Sequence, residues 1–78
     1  MNPRVKNVRA LENYILEIEF DNGESGKFSM KPYLEYPVYS ALKDDAIFKQ
    51  AKASLGFVSW NGDIDIDPDT LYLDSKRA

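Results

Sequence analysis

Tyr14-Ile15-Leu16-Glu17-Ile18-Glu19-Phe20-Asp21-Asn22-Gly23-Glu24-Ser25-Gly26-Lys27-Phe28-Ser29-Met30 is the stretch that decides the fold. Tyr14, Leu16, Ile18 and Phe20 occupy one parity and Glu17 and Glu19 the other, so as a strand this segment has one apolar and one wet face. The Asn22-Gly23 pair then tolerates the positive φ angles of a two-residue type I′ turn. A return strand must follow, and in it Gly26, Phe28 and Met30 share a parity opposite Ser25, Lys27 and Ser29. Leu16, Ile18, Phe20, Phe28 and Met30 are therefore expected to look toward one core.

Upstream, Val5, Val8, Ala10 and Leu11 alternate imperfectly with Lys6, Asn7 and Arg9, which predicts a strand over Val5 to Leu11. Glu12-Asn13 suits a short connection, because Asn tolerates a left-handed conformation. The result is a three-stranded antiparallel meander.

Downstream, Pro32 and Pro37 lack amide donors, so Lys31 to Tyr39 is expected to cross the molecule without becoming an α-helix. Its Tyr33, Tyr36 and Tyr39 either cover one end of the sheet or form an exposed binding patch, the first reading being favoured. A tight turn is expected around Val38 to Leu42. Ala46, Ile47, Phe48 and Ala51 have helical spacing, and Asp44 can accept from amides two and three residues on, which predicts a helix from about Asp45 to Ala51. Ser54 to Gly56 should end it. Phe57 to Trp60 reads as a fourth strand, Asn61-Gly62 as a turn and Ile64 and Ile66 as a fifth strand. Asp67-Pro68-Asp69-Thr70 reads as a turn, Leu71-Tyr72-Leu73 as a last short strand or extended cover, and residues 1–4 and 74–78 as polar tails without order.

The 78 residues, 44% hydrophobic and 29% charged, suit one globular α+β domain: the meander, one short helix and a C-terminal pair of short strands. The absence of Cys and His removes disulfides, thiolate nucleophiles, iron–sulfur and structural zinc sites, and imidazole chemistry. Neither a membrane span nor a signal peptide is legible, so a cytoplasmic location is expected. A net charge of −3 argues against binding a phosphate backbone and favours a basic protein partner. Arg4, Lys6 and Arg9, joined by Lys76 and Arg77 if the termini meet, are the basic residues on which a nucleic-acid reading rests. No aromatic interleaves them.

The stretch Trp60 to Tyr72 holds the only Trp and the one cluster resembling a site. Asp63, Asp65, Asp67 and Asp74 fall at positions one, three, five and twelve of a calcium loop, but Pro68 stands where that loop needs glycine. Asp63, Asp65 and Asp67 also have the spacing of paired carboxylates for metal binding or hydrolysis, yet every alternating acidic strand has it, and a cleft is required besides. The structural reading, acids that solubilise an edge strand and discourage pairing, carries most weight. Beside it stands an acidic, aromatic-edged surface for a basic protein, with Trp60, Asp63, Asp65, Asp67, Asp69 and Tyr72 as partner-binding residues. No catalytic, cofactor-binding or metal-ligating residue is assigned. Homodimerisation through an open sheet edge is compatible with the pattern.

Trp60, Gly62, Asp63, Ile64, Pro68, Asp69, Leu71 and Tyr72 resemble the small bacterial family called domain of unknown function 2442. Its pattern there is a Trp, a Gly-containing turn, an Asp before an apolar residue, and Pro-Asp-x-Leu-Tyr. The likeness includes Leu42-Lys43-Asp44-Asp45-Ala46-Ile47-Phe48 and Phe20-Asp21-Asn22-Gly23, and it covers nearly the whole chain. Asp65 and Asp67 are additions to the pattern. The resemblance implies an α+β domain, found alone or joined to a helix-turn-helix domain; no such motif is legible here, which weighs against direct transcriptional regulation. Standing alone, such proteins are proposed as antitoxin partners of a small protein encoded nearby. The resemblance supplies no catalytic residue, and the expected function is a non-enzymatic protein-interaction domain.

Overall fold

The computed structural model describes residues 2–61 and 64–77. Strands β1 (Val5–Ala10), β2 (Ile15–Phe20) and β3 (Ser25–Ser29) form the expected antiparallel meander. Opposite Leu16 in β2 stands Phe28 in β3, and opposite Ile18 stands Gly26, so the apolar parities coincide across the sheet. Leu16, Ile18, Phe20, Phe28 and Met30 are all buried, as the alternation requires. Asn13 takes a φ of 60°, the left-handed conformation expected of it, and Tyr14 follows at 61°. At the β2–β3 hairpin the turn differs in type. Gly23 alone is left-handed, at φ 89°, the Gly23 amide donates to the Phe20 carbonyl, and Phe20 donates to Glu24. This is a three-residue loop with Gly in the left-handed position, not a two-residue type I′ turn.

The crossing segment forms no α-helix, but it winds into two 3-10 turns, Lys31–Tyr33 and Pro37–Lys43, each with proline in its first positions. They bury Leu34 and Leu42. Helix α1 (Asp45–Phe48) starts where expected, and the Asp44 carboxylate accepts from the Ala46 amide at 3.0 Å. It is one turn shorter than its apolar spacing suggests, because Lys52 already enters strand β4 (Lys52–Ser54). That strand pairs antiparallel with β5 (Phe57–Trp60).

The β4–β5 hairpin is absent from the sequence reading, since Leu55-Gly56 is not a typical turn pair. Both residues nevertheless have positive φ, 53° and 88°. Arg4 donates from its Nη2 to the Leu55 carbonyl at 2.7 Å and the Val5 amide donates to the Gly56 carbonyl at 2.9 Å, so the hairpin tip is docked on the start of β1. Strand β6 (Ile64–Ile66) pairs with β5 and completes a second sheet in the order β4-β5-β6.

The C-terminal part departs from the expected turn, strand and tail. Pro68–Asp74 is a helix, α2, not a turn followed by a strand. Asp67 caps it, accepting from the Thr70 amide at 3.0 Å, Pro68 stands in the first turn and Leu71 is buried. The residues beyond it are also placed: strand β7 (Lys76–Arg77) adds to β3, giving the order β1-β2-β3-β7. Gly26 admits β7, because a Cβ there would meet the Lys76 carbonyl oxygen at 2.7 Å. At the other end, Asn2 donates to Asp69 and the Arg4 amide to Asp21. The fold is thus an α+β domain of two antiparallel sheets with short helices. Val58, Trp60 and Ile66 of the second sheet share one core with the inner face of the first and with Leu34, Leu42, Phe48 and Leu71.

Candidate functional site

Of the residues expected at a partner surface, Trp60 is not at the surface. Trp60 is fully buried, its Nε1 donates to the Phe48 carbonyl at 2.9 Å and its ring stacks on Phe48 with centroids 6.3 Å apart. An indole with its one polar atom satisfied inside the protein is a core element. Asp67 is committed to the α2 cap, and its carboxyl is held below the usual range chiefly by the Thr70 amide. Asp65 and Asp69 are exposed. Asp63 lies outside the described residues, and with it one member of the calcium-loop and paired-carboxylate readings. Among the described residues no group of three acidic side chains is placed to hold a metal ion.

Tyr72 serves the C-terminus. Its hydroxyl donates to Glu24, its ring meets Phe20 edge-on at 5.1 Å, and the Arg77 guanidinium lies 3.7 Å above it. Arg77 also approaches Glu24 at 3.8 Å. The Glu24 carboxyl is held below its ordinary range, first by the Tyr72 hydroxyl and then by Asn22. These contacts fasten β7 to the sheet, which explains how two residues form a strand. The other arginines proposed for nucleic acid are engaged as well: Arg4 on Leu55 and Arg9 on Glu17 at 2.7 Å.

A concave surface lies elsewhere. Ile15, Lys27 and Ser29 have the parity opposite to the buried set, and with Lys76 they form a wall on the outer side of the first sheet. Leu11, Glu12, Pro32, Tyr33 and Tyr36 belong to the same lining. The groove has a volume of about 950 Å³.

Tyr33 is its organising ring. It packs on Phe28 with centroids 5.3 Å apart and meets Tyr39 and Tyr36 edge-on at 6.2 Å each. Its hydroxyl donates to Asp74 at 2.9 Å, and burial first, then Asp74, pushes its pKa up to about 12. The phenol is therefore a neutral donor around pH 7. Tyr36 is 56% exposed. The two readings of the tyrosines are divided between rings: Tyr33 and Tyr39 cover the sheet end, and Tyr36 projects from it.

The groove was only partly visible in the sequence. Ile15 gives the signal, an apolar residue on the wet parity of β2, but the approach of Lys76 and Asp74 depends on α2 and β7, which the sequence reading lacks. Chemically the groove offers aromatic and aliphatic area, a phenol oxygen whose proton is held by Asp74, two ammonium groups and two carboxylates, which is a binding chemistry.

A family model described as protein of unknown function (DUF2442) matches residues 5–77. No curated protein and no solved structure matches the chain. No helix among the described residues is long and apolar enough to cross a membrane.

Proposed function

The chain belongs to the family described as protein of unknown function (DUF2442), and from that premise we propose that it is a non-enzymatic, cytoplasmic protein-interaction domain. Its concrete form is an antitoxin-like partner of a small protein encoded beside it, which acts by covering that protein's functional surface. The observation that carries this reading is the groove of Leu11, Ile15, Pro32, Tyr33 and Tyr36. It combines apolar area with a projecting tyrosine, Tyr36, beside a second ring, Tyr33, fixed by its hydrogen bond to Asp74, and such aromatic composition is favoured at the centre of protein interfaces.

A second surface is carried by Asp65 and Asp69. Both are exposed, and neither has a cation within ion-pair distance among the described residues. The basic partner favoured by the net charge of −3 would meet the domain there.

Coexpression with the products of adjacent genes, followed by pull-down, tests both surfaces. A partner retained by the wild type and lost with Tyr36→Ala assigns the groove; loss with Asp65→Lys and Asp69→Lys instead assigns the acidic side. If no adjacent product copurifies and none is toxic when expressed alone, the proposal fails.

A further inference from the structure

Resting on the reading of the groove as an interface, we infer that it receives a partner segment in which an aliphatic or aromatic residue is flanked by carboxylates, with Lys27 and Lys76 holding the acidic groups. These lysines are register partners on adjacent strands, a like-charged pair that costs stability in isolation. Both are exposed and line the groove. Among the described residues neither has a carboxylate within ion-pair distance.

The surrounding acids are differently placed. Glu12 takes Lys49 at 3.0 Å, Glu17, across from Lys27, takes Arg9 at 2.7 Å, and Asp74 accepts from the Tyr33 hydroxyl. Lys49 is shared between Glu12 and Asp45, so the lining itself holds two carboxylates, Glu12 and Asp74, beside its two cations, Lys27 and Lys76. The lining is balanced in sum, but its positive charge is gathered on one cross-strand lysine pair that has no counter-ion within ion-pair distance among the described residues, and that pair is what a carboxylate-bearing segment would complement. A volume of about 950 Å³ stands at the upper end of small-molecule sites, room for several side chains of an extended segment. Apolar residues of that segment would lie against Ile15, Pro32 and Tyr36, leaving its acids over the lysines.

The test is an amide NMR titration of the full chain with two peptides, Ac-Asp-Phe-Leu-Glu-NH2 and its uncharged counterpart Ac-Asn-Phe-Leu-Gln-NH2. The acidic peptide should shift Ile15, Lys27, Ser29, Tyr33 and Tyr36 and bind about tenfold more tightly than the neutral one, as expected for two favourable charge contacts beside an apolar one. The double variant Lys27→Met and Lys76→Met keeps the aliphatic stems and should bind both peptides equally. Its melting temperature should not fall, which separates lost binding from lost folding. Equal binding of both peptides by the wild type overturns the charge preference and leaves the groove reading standing. Absence of groove shifts with either peptide at millimolar concentration overturns both.

Discussion

Replacing Trp60 by Phe separates a core role from a surface role. The substitution removes the Nε1 donor that reaches the Phe48 carbonyl at 2.9 Å and vacates part of a site with no solvent exposure. The carbonyl is not left unpaired, because the Ala51 amide also donates to it at 3.2 Å, so the hydrogen-bond loss belongs at the lower end of ~0.5–1.5 kcal/mol. The missing ring atoms leave a partial cavity worth about 1–1.5 kcal/mol, since the surrounding core relaxes incompletely. The sum is about 2 kcal/mol. A domain of 78 residues, at ~0.05–0.15 kcal/mol per residue, holds only about 4–12 kcal/mol in all. The melting temperature should therefore fall by about 8–16 °C. Far-UV circular dichroism on heating, with urea titration at pH 7, reads this directly, and partner or peptide binding measured below the melting point should be unchanged. A melting temperature within ~2 °C of wild type, together with lost binding, would refute the placement of Trp60 in the core.

Three further outcomes follow from the same structure. Gly26→Ala drives a Cβ against the Lys76 carbonyl, so β7 should detach, with destabilisation of about 1–3 kcal/mol and faster proteolysis after Ser75. Asp67→Ala removes the α2 cap and should cost about 0.5–2 kcal/mol at pH 7 by urea titration. Because the folded Asp67 carboxyl titrates below its ordinary value of 3.8, its stabilisation is present above that pH and lost as pH falls through the depressed folded value; the variant should show a shallower acid limb. The Tyr33 phenol has the opposite sign. Its pKa is raised from 10.0 to about 12, so its contribution is full below pH 10 and is lost as pH rises toward 12. Tyr33→Phe should flatten the alkaline limb of melting temperature against pH; an unchanged limb would contradict the placement of that hydroxyl.

The meander was legible because one-sided burial imposes period two on β2 and β3, and two strands that must share a core show it twice. Asp44 was legible because capping is local chemistry. The missed elements fail for identifiable reasons. Asp67-Pro68-Asp69 satisfies a turn and a helix start equally well, and what selects the helix is burial of Leu71, a tertiary fact. Leu55 in a left-handed conformation contradicts local preference and is tied to the contacts that dock its hairpin on Arg4 and Val5. Strand β7 has no sequence pattern of its own, since its support comes from Tyr72, Glu24 and the space above Gly26. The candidate site shifted for the same reason. Trp60 and Tyr72 looked like interface anchors because anchors and core aromatics share a composition; only burial and hydrogen-bond partners tell them apart.

The proposed function puts the partner on the groove beside Tyr33 and Tyr36. Pull-down from cells coexpressing the adjacent gene products, with wild type and Tyr36→Ala side by side, tests it most directly. Tyr36 is exposed, so the variant should fold with an unchanged melting temperature and lose the partner that the wild type retains. A folded Tyr36→Ala protein that retains that partner fully would contradict the claim.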